Sequence, residues 1–465
     1  MTAPNYDYGD PLTLSPATGD AATNSARLAA ACGSGKSVFV TRPGTYHFAL
    51  TGAGYQTDSL GRAYRKCVDL GNLRMLRGAP GVVFKMADGQ MQDSGDNRGP
   101  CSILCSNAPT DLTIQNLRLE GNTAGQTSWT GDYNTSNERW TQLDGSHGIC
   151  VSSVGAGYGR VNLEDIQCYD FFANPIISDG SSSYKAGTAR ARRIWYGDCG
   201  EGMTFDDVSD VDVEDVVFVA DNSSYTAVDS STKGKTAGDG LEAARCRNVR
   251  IRNFRSWTRQ GAVMYGGGGV IDCGGSDNIV IDGLYCRHWQ AGCGADISNA
   301  LPPKSITYRN HTYLDVPQTA LFFEYPANYE LENIIAHNCG HLLTATASSA
   351  VRQMHIHARN IQCWAPTGDL FYLRGDIRLH GENVQARTGS APLAIYKSAS
   401  FPGTPFVYGD RWDLYCTAGY GVFIRGLSDG AFAPTVTLKG SYVGGSSGAS
   451  FADQDGSTSN ITVAA

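Results

Sequence analysis

One six-residue phrase recurs ten times between Leu112 and Val384: apolar, any, apolar, any, a turn-prone residue, apolar. Clear copies occupy 112–117 (LTIQNL), 161–166 (VNLEDI), 211–216 (VDVEDV), 249–254 (VRIRNF), 279–284 (IVIDGL), 329–334 (YELENI) and 379–384 (LHGENV). Looser copies begin at Ala189, Ile306 and Ile356, and successive starts lie 49, 28, 22, 38, 30, 27, 23, 27 and 23 residues apart. A strand phrase with a base period in the twenties signals stacked units, none of which buries its apolar face alone. The fifth position is Asn at 116, 253, 310, 333, 360 and 383. A stacked Asn bonds its neighbours along the axis and tolerates left-handed backbone geometry. The repeat therefore predicts an all-β chain wound as a parallel β-helix, one period to a coil.

The 56 Gly and the scarcity of helical periodicity agree with strands and tight turns. A net charge of −8 without a Lys/Arg cluster argues against a nucleic-acid partner. No apolar run is long enough to span a membrane, and residues 1–20 are polar, without a visible signal peptide. The 14 Cys are scattered singly with no CxxC. Cys168, Cys286, Cys339 and Cys363 follow repeat phrases at positions where a small hydrophobe stacks inside a coil, so free buried thiols are expected.

The start of the chain has the pattern of a cap. Asp20 is placed to N-cap a helix over 21–31 (AATNSARLAAA), and 37–46 (SVFVTRPGTY) forms a strand, a turn and a return. A short helix covering the open end prevents edge-to-edge growth. The expected organisation is an N-terminal segment and capping helix at 1–35, a β-helix at 36–426 and an irregular C-terminal cap at 427–465. Loop insertions are expected at 121–147 and 221–236.

A second phrase alternates with the first, at 148–152 (GICVS), 202–206 (GMTFD), 240–244 (GLEAA) and 294–298 (GADIS). Strand alternation turns Ile149, Met203, Leu241 and Ala295 inward. Thr204, Glu242 and Asp296 then share one outward column, and Ser152, Asp206 and Ser298 the next. His147, Glu201 and Asp239 occupy the preceding turn positions. Crowded carboxylates push at least one pKa up, giving a protonated acid beside an ionised base. That pairing serves glycosidic hydrolysis, with about 5 Å between carboxyls for retention and roughly 6.5–9.5 Å for inversion. The flanking glycines are expected to admit substrate close to the backbone.

The two stretched intervals surround these acids. Solenoid insertions map to one face, often the binding face. The first carries Trp129, Tyr133 and Trp140, whose rings are sugar-stacking platforms, and Trp195, Trp257, Tyr265, Trp289 and Tyr325 extend a candidate groove.

The opening helix followed by Val-Thr-Arg-Pro-Gly-Thr-Tyr46, together with the Gly-x-Gly coils, resembles the pectate-lyase-like β-helix superfamily. Within it the chain is most similar to tailspike-like endoglycosidases, the polysaccharide depolymerases of phages and their bacterial exopolysaccharide-modifying relatives. The resemblance implies a single-stranded right-handed parallel β-helix with a short capping helix. It also implies a homotrimer acting outside the cell or at its surface on long bacterial polysaccharides, with no cofactor and no metal. The acid triple of some members, one Glu on a coil and two acids three residues apart on the next, is matched by Glu201, Asp239 and Glu242. Neither a phage-type head domain nor a long C-terminal trimerisation domain is expected from these residues. Polygalacturonase-type motifs are absent, apart from an Asp206-Asp207 pair.

The functional expectation is an inverting endoglycosidase with Glu201, Asp239 and Glu242 as catalytic acids. Asp206, Trp195, Arg245, Trp257, Tyr265, Asp296, Trp129 and Tyr133 are the expected substrate contacts. Two alternatives stay open: a polysaccharide lyase, for which Arg245, Arg247 and Arg250 supply cations, and a non-catalytic carbohydrate-binding spike or adhesin.

Overall fold

The computed structural model describes residues 12, 14–51, 56–57, 63–90, 101–107, 109–126, 133–134, 139–140, 146–152, 159–171, 174–180, 186–199, 202–220, 239–258, 269–289, 291–295, 305–324, 326–347, 353–365, 367–396, 403–425, 434–445, 451–454 and 460–464. The fold is a right-handed parallel β-helix with one N-terminal helix. The chain divides into two compact units, Met1–Cys246 and Arg247–Ala465, within the span expected as one body.

Each repeat phrase lies in a long strand, and the copies pair in parallel, phrase against phrase. In the first unit Val161 faces Leu112, Ala189 faces Val161 and Val211 faces Ala189. In the second, Val249, Ile279, Ile306, Tyr329, Ile356 and Leu379 follow one another in register. Val407, Val436 and Ile461 continue that column beyond the ten copies. The expected irregular tail therefore adds further coil strands, Thr435–Lys439 and Asn460–Ala464.

The fifth phrase position explains why strict alternation fails. In Asp111–Glu120 the buried residues are Leu112, Ile114, Leu117 and Leu119, with two residues between the middle pair. Asn116 sits there at φ 52°. One left-handed residue bends the strand so that the apolar side chains on both sides of it face the core. Each fully buried Leu or Ile contributes roughly 1.5–3 kcal/mol, so this pattern dominates the stability of a coil.

In the second unit the corner is an amide ladder. Asn310 Nδ2 donates to Asp282 Oδ1 (2.7 Å), Asn333 to Asn310 (3.0 Å), Asn360 to Asn333 (3.0 Å) and Asn383 to Asn360 (2.8 Å). In the first unit Asp165, Arg193 and Asp215 hold the same left-handed geometry. There Arg193 pairs with Asp165 through Nε at 2.6 Å and with Glu164.

The cap forms as a helix over Ala21–Gly33. Asp20 stands at its N-cap but makes no side-chain cap bond. Buried Asn24 and Ser25 tie the helix to the first coil, donating to His47 O (3.2 Å) and Ala49 O (2.7 Å). All fourteen Cys are free and buried. Burial pushes the Cys32 and Cys293 thiols up to about 12, so both are packing groups rather than nucleophiles at neutral pH. Among the described residues no helix is long and apolar enough to cross a membrane.

Candidate functional site

The second phrase forms short strands on another sheet, separate from the long strands. In the first unit that sheet runs Ala63–Asp69, Cys101–Asn107, Ser146–Ser152, Ile176–Asp179, Met203–Asp206 and Leu241–Ala244, each parallel to the next. Ile176–Asp179 lacks the Gly-x-x-x-x pattern that marked its neighbours, and the sequence reading passed over it. It places buried Asp179 between Ser152 and Asp206 in one register column. Thr204 faces Glu242, and Asp206 faces Ala244, as alternation predicts.

Arg245 organises the carboxylates. Its guanidinium pairs with Asp206 Oδ2 through Nη2 and with Asp207 Oδ2 through Nε at 3.0 Å. Asp207 and Arg245 both adopt left-handed geometry, φ 52° and 54°, at the ends of adjacent short strands. This turns consecutive corners alike and stacks the cation on the acid below it. The preceding corner is Gly180, where a Cβ would meet Asp207 O at 2.4 Å. Arg245, expected to contact substrate, is thus already engaged by two carboxylates.

Asp206 is only 20% exposed in its side chain. Burial is the main force raising its pKa, and the charges of Asp207, Asp179 and Glu242 add to it. Arg245 opposes them but does not cancel them, and the carboxyl stands at about 7. Its Oδ1 is buried with no hydrogen-bond partner among the described residues, a further cost to the anion.

A polar relay approaches the same face. Buried His147 donates from Nδ1 to Asn174 O (2.8 Å). Asn174 Nδ2 donates to Thr204 Oγ1 (2.7 Å) and Gly202 O (3.2 Å), and Thr204 Oγ1 reaches Glu242 Oε2 at 3.5 Å. His147 lies inside a strand opposite Ser102 rather than in a turn, two residues before Ile149 as Asp239 is two before Leu241. The half-buried Asp239 accepts from Gly202 N through its carbonyl at 2.7 Å.

The glycines have a different purpose from the one expected. A Cβ on Gly202 would lie 1.6 Å from Gly240 O, and one on Gly292 would lie 2.1 Å from Ala320 O. Successive coils pack backbone to backbone at these points, so the missing side chains admit the neighbouring coil rather than a ligand.

Other expected contacts fall elsewhere. Trp195 is on the long-strand sheet, opposite Gln167 and Val217, stacked on Tyr169 at 4.2 Å. It does not share a face with the acids. Trp257 belongs to the second unit, where it lines a cavity on the long-strand sheet. Trp289 is fully buried and donates to Ser256 Oγ at 2.7 Å, which makes it core. Glu201, Tyr265, Asp296, Trp129, Tyr325 and most of both insertions lie outside the described residues, and Tyr133 is described only as backbone in Tyr133–Asn134. Among the described residues no group of three or more His, Cys, Asp or Glu is placed to hold a metal ion.

No protein-family model matches the chain, and no curated protein matches it. Among solved structures it is similar to the A-module of Azotobacter vinelandii mannuronan C-5 epimerase AlgE6, at 15% identity and TM-score 0.36, over 99% of this chain and 98% of that one. The AlgE4 A-module of the same organism gives 12% identity and TM-score 0.37, over 98% of each chain. The N-terminal fragment of bacteriophage Phi29 gene product 12 gives 10% and 0.34, over 98% of this chain and 92% of that one.

Proposed function

We propose that the chain is an enzyme that hydrolyses glycosidic bonds in a bacterial surface or exopolysaccharide, outside the cell or at its surface. Asp206 is the general acid and Glu242 the general base. The feature that carries this is Asp206: a largely buried carboxyl raised to about 7 among Asp179, Asp207 and Glu242. Near neutral pH it carries the proton that the leaving oxygen needs. Strand spacing of about 4.8 Å and a rise of about 3.3 Å per residue put the backbones of Asp206 and Glu242 roughly 8 Å apart on the diagonal. That suits inversion, which needs room for a water between the carboxyls.

Asp206 gives its proton to the glycosidic oxygen as the bond to the anomeric carbon breaks. Water attacks that carbon from the opposite face and loses its proton to Glu242. At rest Arg245 holds Asp206 Oδ2 and Oδ1 is buried, so proton transfer requires the Asp206 side chain to turn toward the substrate. Asp239, at the start of the same coil as Glu242, and Glu201 remain candidates for the same chemistry. The homotrimer belongs to the proposal as well, and light scattering should give three times 49.6 kDa.

The test is incubation with a panel of bacterial polysaccharides, with sizing of the products and assay of reducing ends. Wild type should release new reducing ends without ultraviolet absorbance. Asp206→Asn and Glu242→Gln should each lose roughly 10²–10⁴-fold in rate while still binding the polymer. Activity should fall as pH rises through about 7 and Asp206 ionises. Unchanged product release by Asp206→Asn would sink the assignment. An ultraviolet-absorbing product indicates elimination instead, and binding without release from any form indicates a spike or adhesin.

A further inference from the structure

We propose that the second unit carries a binding platform of its own for an acidic glycan, on the outer face of its long-strand sheet. Two register columns build it. Arg255 faces Tyr285, which faces Thr312; beside them Trp257 faces Arg287. Neighbouring coils lie about 4.8 Å apart, so two rings and two guanidiniums alternate as a checkerboard. Trp257 meets Tyr285 edge to face at 6.3 Å and 76°, an arrangement that fixes the orientation of both rings. Together they line a cavity of about 540 Å³, within the usual size range of ligand pockets.

The charge of this surface is the opposite of the chain's. Arg287 is held by Asp315 at 3.0 Å. Arg255 donates to Asn253 Oδ1 at 3.3 Å, and among the described residues no carboxylate pairs with it. Asp282, on the adjacent strand, already accepts from Asn310. A protein of net charge −8 therefore presents guanidinium N–H groups next to the half-buried rings of Trp257 and Tyr285. A uronate answers both, laying an apolar C–H face on a ring and its carboxylate against a guanidinium. A nucleic acid fits less well, since two cations on an acidic protein do not offset a polyphosphate.

The platform rests on second-unit residues alone and stands whether or not the first unit cleaves anything. Its test uses the full chain with three probes: polygalacturonate, dextran and single-stranded DNA. Measurements are made in the wild-type and Asp206→Asn backgrounds, so that cleavage does not obscure binding. Polygalacturonate should bind equally in both backgrounds and dextran should not bind. Trp257→Ala should weaken binding about tenfold, a change of about 1.4 kcal/mol, and Trp257→Phe should restore most of it. Arg255→Gln should weaken binding and flatten its salt dependence. Equal affinity of wild type and Trp257→Ala, equal binding of dextran, or preference for DNA overturns the platform. Hydrolysis of some polysaccharide with no polyuronate binding also overturns it, and leaves the reading of the first unit standing.

Discussion

The two units solve the same backbone problem with different chemistry. Both need a left-handed residue at the corner of every long strand. The second unit fills it with Asn310, Asn333, Asn360 and Asn383, each donating to the coil before it. The first, after Asn116, fills it with Asp165, Arg193 and Asp215, of which Arg193 and Asp165 pair as ions. An amide has a donor and an acceptor and repeats without limit; a charge needs an opposite charge next to it. The short-strand sheet of the first unit extends the charged solution to a corner where it is incomplete: Asp206 and Asp207 share one Arg245, with Asp179 and Glu242 nearby, and Asp206 is left with a raised pKa. Function is proposed where the charged pattern fails to neutralise itself.

Glycine substitution should separate the short-strand coils from the long-strand corners most sharply. Gly202→Ala drives a methyl into Gly240 O at 1.6 Å and should cost several kcal/mol or abolish folding. Gly283→Ala, at φ 79° with its nearest atom 3.4 Å away, should cost only about 1 kcal/mol. Comparable urea midpoints for the two variants would refute the backbone-to-backbone account of the Gly-rich coils.

A smaller effect should follow pH. The folded pKa of Asp206, about 7, lies above its usual 3.8. Its protonation therefore favours the folded state fully below about pH 4, and that contribution is lost as pH rises through about 7. The rise from 3.8 to about 7 sets a ceiling near 4 kcal/mol, and the exposed fifth of the side chain lowers this to roughly 2–3 kcal/mol. Asp206→Asn should flatten the decline in Tm between pH 5 and 8; parallel curves would show that Asp206 titrates as an ordinary surface acid.

Next comes the amide ladder. Asn333→Ala removes one donor and one acceptor and leaves a Cβ residue in left-handed geometry, for a loss of about 1–2 kcal/mol insensitive to salt. Arg193→Asn keeps the corner geometry and removes only exposed ion pairs. It should give the smallest Tm change of the series, and one that disappears at about 0.5 M salt. A larger or salt-independent effect at Arg193 would erase the distinction between the two corners.

The coil register was legible in the sequence because it is a local pattern repeated. Leu112, Val161, Ala189 and Val211 align by phrase and pair by phrase. Less of the candidate site could be read. Asp206, Glu242 and Arg245 were visible as residues on marked coils. Asp179 and Asn174 were not, because their coil has no glycine at the strand start, the mark by which the others were found.

The sequence by itself determined the coil, its corner residues and which side chains face out, since period and φ preference are properties of a few consecutive residues. Only the tertiary structure decided which coils are neighbours where the period is broken. That choice brought Asp179 against Asp206, bent Arg245 back over Asp206 and Asp207, and separated Trp195 from the acids. A carboxyl's pKa is set by burial and by charges from other coils, so Asp206 could be named from the sequence, but its proton could not.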